Sequence, residues 1–143
     1  MFASCIEKQK WVIALFSECA SQEEKYKKII DLGRSAAPLD VSLKSADNLV
    51  HGCQSVVYLH SFLKDGKVIF AAESDALISA GLAAMLIQVY SGESPETILK
   101  CPPDYLKETG VSASLTPNRA NGLYSMHLRM QQDALKFLVS GAG

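Results

Sequence analysis

The sequence predicts an α+β fold, in which helices pack on one face of a small three-stranded antiparallel sheet. Three observations lead to this prediction. Segments with helical periodicity fill the first third of the chain, short β-rich segments joined by turn residues follow, and the remainder is again helical in pattern. The 143 residues, 48% of them hydrophobic, suit one domain with one core that covers residues 1–143.

The first third of the chain is predicted to form two helices. The apolar run 11–16 is short and Glu18 follows it closely, so we expect an amphipathic helix there and not a signal peptide. Ser21 followed three residues later by Glu24 is a capping box, which marks the beginning of the second helix. Gly33 is expected to end this helix as a left-handed cap residue.

Three strand-like segments come next. Residues 48–51 are predicted as a short strand, residues 55–63 as a longer one and residues 68–71 as the return strand. The Asp-Gly pair at 65–66 is typical of the two-residue turn of a hairpin, since a type I′ turn requires positive φ at both positions. Residues 52–54 are therefore expected in the bend between the first two strands, at one end of the sheet.

The rest of the chain carries repeated helix-start signals. Ser74 or Asp75 is expected to cap a helix that Gly92 ends. Serine or threonine followed by proline, at 94–95 and at 116–117, predicts the beginning of a short helix and of the final helix. The helix that Gly92 ends has an apolar face at helical spacing, which consists of Ile78, Leu82, Met85, Leu86 and Val89.

Composition and charge exclude several functional classes. The net charge is -1 and the chain has no basic stripe, so we expect no nucleic-acid partner. The most apolar segment, residues 76–90, is too short to span a bilayer, so we expect no membrane partner. The four cysteines include no C-x-x-C pair, which indicates free thiols in a reducing cytoplasm and no metal site.

Cys53 is the candidate for chemistry because of its position. It follows Gly52 in a predicted bend, and loops on a rigid sheet often display reactive groups. Gln54 and Ser55 follow it, and His51 lies two residues before it. A thiolate forms near neutral pH only with help from such neighbours. On the residues alone, an inert cysteine that packs as a small hydrophobic side chain is the favoured interpretation.

Asp75 and Arg119 both lie near predicted helix starts. Asp75 is most simply read as a helix cap. The positive charge of Arg119 in a first helical turn is mildly unfavourable with the helix dipole, which makes Arg119 a candidate for contact with a partner or an anion. The chain has no phosphate-binding glycine-rich loop, no H-E-x-x-H and no G-x-S-x-G motif.

Four ordered segments of the chain resemble the SufE family of sulfur acceptors. They are Gly52-Cys53-Gln54-Ser55 with Val56-Val57-Tyr58, Glu23-Glu24-Lys25-Tyr26 with Ile29 to Gly33, Ser74-Asp75-Ala76 with Gly81-Leu82, and Leu115 to Arg119 with Gly122-Leu123. The likeness extends from about residue 17 to residue 138. It implies a fold similar to that of the IscU scaffold, which agrees with the α+β prediction.

The resemblance also implies a function. A PLP-dependent cysteine desulfurase of the SufS type would hold sulfur as a persulfide, and Cys53 would accept it by the chemistry of thiol–disulfide exchange and pass it to an iron–sulfur scaffold. The chain would then be an accessory protein that stimulates the desulfurase. It would bind no cofactor of its own, because the PLP belongs to the partner. The active loop and partner surface would comprise Gly52, Gln54, Ser55, Asp75 and Arg119.

Two other functions remain as alternatives. An IscU-like scaffold would need cysteine ligands clustered at one end of the fold, whereas Cys5 and Cys19 lie in predicted helices and Cys101 lies far along the chain. A stand-alone thiol hydrolase would need a base and an oxyanion hole beside Cys53, for which the sequence offers only His51. The resemblance further implies that Cys53 is held inward in the free protein.

Overall fold

The computed structural model describes residues 2–140 and confirms the α+β prediction. In chain order the elements are α1 (Ala3–Ser17), α2 (Gln22–Ser35), β1 (Val57–Lys64), β2 (Lys67–Ser74), α3 (Leu77–Tyr90), α4 (Pro95–Lys100), α5 (Tyr105–Glu108), α6 (Val111–Ser114) and α7 (Pro117–Ser140). Two short 3-10 turns, Val41–Leu43 and Ala46–Asn48, precede β1. None of these helices is long and apolar enough to cross a membrane.

The central helix of the core is α3. It packs against α1, α2, α7 and β2, and its buried residues include four of the five that the helical spacing predicts, with Ile78 only partly buried. Burial on so many sides explains why its sequence is apolar almost all the way round.

The sheet within residues 2–140 has two strands, so the prediction of three is wrong. The predicted first strand, residues 48–51, makes only an isolated bridge, in which the Val50 N–H donates to the Val57 carbonyl at 2.8 Å. A 3-10 turn ends at Asn48 and a turn begins at His51, so only two extended residues lie between them. Two residues are too few to form a ladder of hydrogen bonds.

The hairpin formed by β1 and β2 is antiparallel and closes at the predicted turn. Asp65 has φ 53° and Gly66 has φ 78°, the two positive values that a type I′ turn needs. Buried side chains alternate along both strands, which turns one face of the hairpin to the core. The buried residues are Val57, Leu59, Val68 and Phe70. Helix α3 packs against β2, and α7 packs against β1.

Gly33 does not end α2, because the helix continues to Ser35. The predicted role of this glycine as a left-handed cap is therefore wrong. A Cβ at Gly33 would lie 2.7 Å from the backbone nitrogen of Gly81 in α3, and a Cβ at Gly81 would lie 2.0 Å from the Ile29 carbonyl oxygen in α2. The two glycines instead let the backbones of α2 and α3 approach closely, a role that helical spacing alone does not distinguish from a cap.

Most helix starts follow the predicted chemistry. Ser21 accepts a hydrogen bond from the Glu24 N–H at 3.2 Å, and Ser94 accepts one from the Thr97 N–H at 3.2 Å. At the beginning of α7 the Thr116 hydroxyl accepts the Arg119 N–H at 3.4 Å. These bonds satisfy N–H groups that have no partner inside the helix.

The beginning of α3 differs from the prediction, since neither Ser74 nor Asp75 caps it. The residue at the cap position is Ala76, and no side chain there accepts a hydrogen bond from the first turn. The Ser74 hydroxyl instead accepts the Ala76 N–H at 3.2 Å and donates to the Val56 carbonyl at 2.7 Å. Ser74 therefore joins the end of the hairpin to the segment that contains Cys53.

Candidate functional site

Cys53 lies in a loop whose two ends are joined by the bond between Val50 and Val57. The loop turns at Gly52, which has φ +91°, a conformation that side chains with a Cβ rarely adopt. A Cβ at Gly52 would also lie 2.5 Å from the Ser125 hydroxyl of α7. Glycine is therefore required here both by the backbone conformation and by the closeness of α7.

The thiol of Cys53 is turned toward α7 and is half-buried. It donates a hydrogen bond to the Gly122 carbonyl oxygen, with an S···O distance of 3.5 Å. A Cβ at Gly122 would lie 3.7 Å from the sulfur. Burial raises the pKa of the Cys53 thiol, because removal from water disfavours the thiolate. The free protein thus holds Cys53 as a neutral and weakly reactive thiol.

A cavity of about 290 Å³ opens beside the sulfur. Its wall combines polar side chains from the Cys53 loop, α3 and the beginning of α7 with the apolar Leu82 and Met126. The polar members are Gln54, Ser55, Ser79, Thr116, Asn118 and Arg119. The hydroxyl groups of Ser55 and Ser79 lie 2.7 Å apart, which joins the loop to α3. The cavity has room for more than one additional sulfur atom.

Most of the predicted site residues meet at this cavity. Gln54, Ser55 and Arg119 border it together with Cys53, and Gly52 shapes the turn that presents the thiol. Arg119 is exposed, so its guanidinium is accessible at the rim. Asp75 does not border the cavity and is an exposed residue before α3.

His51 is also exposed. Within the described part of the chain, it makes no hydrogen bond to Cys53. The cysteine–histidine pair that the sequence suggests is therefore not assembled in this conformation. A base for Cys53 would have to come from solvent, from a partner, or from a different loop conformation.

The other three cysteines lie away from this site. Cys5 and Cys101 are buried close to each other, and both accept hydrogen bonds from the side-chain amide of Gln9, at 3.8 and 3.4 Å. Cys19 is half-buried at the end of α1. Among residues 2–140, no group of three or more His, Cys, Asp or Glu side chains is placed to hold a metal ion.

Sequence reasoning missed several residues of the site. Ser79 and Ser125 are helical serines without any distinguishing spacing, and they become part of the site only because α3 and α7 pass beside the loop. Gly122 offered a signal, since a glycine in the first turns of a helix costs helix stability and often indicates a close approach. The structure shows that the neighbour is Cys53.

Comparison with known proteins places these observations in a family. The sequence profile described as "SufE: Fe-S metabolism associated domain" matches residues 10–134. An uncharacterized SufE-like protein of Synechocystis is 37% identical over 126 residues, which cover 88% of this chain and 79% of the relative. "SufE-like protein 1, chloroplastic/mitochondrial" of Arabidopsis thaliana is 35% identical over 131 residues, 91% of this chain but 35% of the relative.

One solved structure shows the same fold. The solution structure of a hypothetical protein from Thermus thermophilus matches with a TM-score of 0.76 and 27% sequence identity. The match covers 92% of this chain and 96% of the other.

Proposed function

Because the chain belongs to the SufE family, a family associated with Fe–S metabolism, we propose that it accepts persulfide sulfur on Cys53 from a PLP-dependent cysteine desulfurase. It would stimulate that enzyme and pass the sulfur to an iron–sulfur scaffold, without binding a cofactor itself. The observation that carries this proposal is the placement of Cys53, a half-buried thiol beside a cavity of about 290 Å³, in a loop that turns on a left-handed glycine.

The proposed transfer is an exchange at sulfur that needs no oxidant. The Cys53 thiol first loses its proton, and the thiolate attacks the outer sulfur of the persulfide held on the desulfurase cysteine. The S–S bond of that persulfide breaks as a new one forms to Cys53, and the desulfurase cysteine leaves as a thiolate that takes up a proton. A second exchange of the same kind moves the sulfur from Cys53 to the scaffold.

The resting geometry makes Cys53 a protected carrier. Burial raises the pKa of the thiol, and the thiolate is the form that reacts both with oxidants and with persulfides. If partner binding moved the loop away from α7 and exposed the thiol to water, this desolvation would be lost and the pKa of Cys53 would fall. Partner binding can favour that open loop only through contacts that the closed loop does not make.

Arg119 and Asp75 have different places in this proposal. Arg119 is exposed at the rim of the cavity, where its guanidinium can attract an anionic persulfide or an acidic group of the partner. Asp75 lies outside the cavity, so we assign it to the surface that the desulfurase covers. The thiol chemistry requires a reducing compartment, and we propose the cytoplasm.

The test combines the protein with a cysteine desulfurase, cysteine and PLP, and weighs the peptides that contain each cysteine for an added sulfur. We expect the sulfur on Cys53, and we expect Cys53→Ser to lose stimulation of the desulfurase. Cys19→Ser is the matched control, because Cys19 is a half-buried thiol outside the site. Full stimulation by Cys53→Ser would reject the assignment, and stoichiometric iron or zinc in the purified protein would favour the scaffold alternative.

A further inference from the structure

Arg129 of α7 is the centre of a network that joins three parts of the fold. Its Nε donates to the Asp133 carboxylate at 3.1 Å. Its two terminal nitrogens donate to the backbone carbonyls of Leu49, at 3.2 Å, and Asp47, at 2.7 Å. The other Asp133 oxygen accepts a hydrogen bond from the Ser61 hydroxyl of β1 at 2.8 Å. The network thus connects α7, β1 and the segment that enters the Cys53 loop.

The charge pair at the centre of the network is largely removed from water. The side chain of Arg129 is 19% exposed and that of Asp133 is 8% exposed. A guanidinium is planar and presents several N–H groups in fixed directions, so that it can hold a carboxylate and two carbonyls at once. A lysine ammonium can pair with the carboxylate but cannot span all three acceptors. The geometry is therefore specific for arginine and not simply for a positive charge.

The position of the network matters for the loop. Leu49 directly precedes Val50, whose N–H closes the loop on Val57. The Cys53 thiol, at the tip of the loop, bonds to Gly122, which lies about two turns before Arg129 on the same helix. Helix α7 therefore contacts the loop at two points, at its root through Arg129 and at its tip through Gly122.

We propose that Arg129 is a positioning residue for the Cys53 loop. By fixing the carbonyls of Asp47 and Leu49 against α7, it sets the root so that the loop closes with the thiol on Gly122, and it limits how often the loop opens. The step to sulfur transfer rests on the proposed function, but the control of loop opening does not. An ion pair that merely stabilised the fold would protect every buried thiol alike.

The chain contains its own control for this distinction. Cys53 reports the opening of the loop, whereas Cys5 and Cys101, at 0% and 3% exposure, report the opening of the core. The free protein is labelled with iodoacetamide at constant pH, and the label on each cysteine is followed over time by peptide mass. Arg129→Lys keeps the charge pair with Asp133 but gives up bonds to the loop root. The loss of one hydrogen bond from a charged donor corresponds to roughly tenfold in an opening equilibrium.

We expect Arg129→Lys to label at Cys53 about tenfold faster than the wild type, with unchanged rates at Cys5 and Cys101. Ser61→Ala is the matched control, since it removes the hydrogen bond from the Ser61 hydroxyl to Asp133 but leaves both hydrogen bonds from Arg129 to the loop-root carbonyls. It should change the Cys53 rate by less than about twofold. If the lysine variant does not fold, the double variant Arg129→Met, Asp133→Leu removes the pair without leaving a charge unpaired, and the same selective effect is expected.

Three results would overturn the proposal. These are an unchanged rate at Cys53, a proportional increase at all buried cysteines, and an equal increase in Ser61→Ala. The experiment contains no desulfurase, so it separates this proposal from the proposed function. Selective labelling in Arg129→Lys together with a wild-type protein that accepts no sulfur would retain the positioning role and reject the sulfur carrier.

Discussion

Replacement of Gly122 by alanine should make the protein more stable and Cys53 less accessible. Gly122 lies inside α7, where glycine costs about 1 kcal/mol relative to alanine. The added Cβ would meet only the Cys53 sulfur within 4 Å, at 3.7 Å, which is an ordinary contact. We therefore expect the free energy of unfolding to rise by about 0.5–1 kcal/mol and the melting temperature by about 3 °C.

The same methyl group should hold the loop closed. It is covered by Cys53 while the loop is closed and is uncovered when the loop opens. Burial of one methyl group contributes about 0.8 kcal/mol, which corresponds to a roughly fourfold smaller open population. Labelling of Cys53 by iodoacetamide should slow by that factor. Sulfur acceptance from a desulfurase should slow as well, because the methyl takes room beside the attacking sulfur.

The control for the helix effect is Asn121→Ala, one residue earlier on the exposed side of α7. It also replaces a poorer helix former by alanine, so it should raise stability by about 0.5 kcal/mol without changing the labelling rate of Cys53. Chemical denaturation and time-resolved labelling on the three proteins give both quantities. Lower stability or faster labelling in Gly122→Ala would refute the reasoning, because it would mean that the methyl pushes Cys53 out of its place.

Three further outcomes are expected. Gly81→Ala should lower the free energy of unfolding by about 3 kcal/mol, since its Cβ would lie 2.0 Å from the Ile29 carbonyl oxygen. Gly66→Ala should lower it by only about 1 kcal/mol, because its Cβ would meet no atom within 4 Å and only the φ of +78° is strained. Equal losses in a denaturant titration would contradict this. The labelling rate of Cys53 should reach half its maximum at a pH above the ordinary thiol value of 9.0, and a midpoint at or below that of an unfolded peptide would refute the sheltered thiol. Burial raises the pKa of Cys5 to about 12, so this thiol ionises in the unfolded state first, and the free energy of unfolding should fall as pH rises from 9.0 to about 12. Cys5→Ala should flatten that decline, and an unchanged slope would argue against a contribution from Cys5.

Local signals predicted the elements of the fold better than they predicted the contacts between them. The hairpin turn at residues 65–66 and the cap at Ser21 are decided by φ angles and hydrogen bonds within a few residues, and both were predicted correctly. The role of Gly33 was not, because a glycine near the end of a helical pattern fits a cap and a close approach equally well. Only the position of α3 distinguishes the two.

The prediction of a third strand was wrong for a related reason. Residues 48–51 contain β-formers, yet the extent of a strand depends on how many extended residues its neighbours leave. The 3-10 turn that ends at Asn48 and the turn at His51 leave two. That shortening matters for the site, because Arg129 binds the carbonyl of Leu49 within this segment and the carbonyl of Asp47 just before it.

Sequence reasoning singled out Cys53 but not the elements that shelter it. The glycine before it and the serine after it are local and visible, whereas the Gly122 carbonyl and the Ser125 hydroxyl come from a helix about 70 residues further along. Such partners are decided by the packing of α7 beside the loop. A single sequence contains no spacing rule for them.

For a carrier of the kind proposed, the geometry makes activation a matter of movement more than of acid–base chemistry. One cause, burial, both protects the thiol and raises its pKa, so exposure of the sulfur removes both effects together. The bond that must break at the tip is a single S–H···O contact of 3.5 Å, which is weak. In the positioning role proposed for it, Arg129 opposes the same movement, because its bonds to the carbonyls of Asp47 and Leu49 favour the closed loop. Release of the loop removes the penalty of burial, and solvent or a residue of the partner would then take the proton, since His51 makes no hydrogen bond to Cys53 in the closed loop.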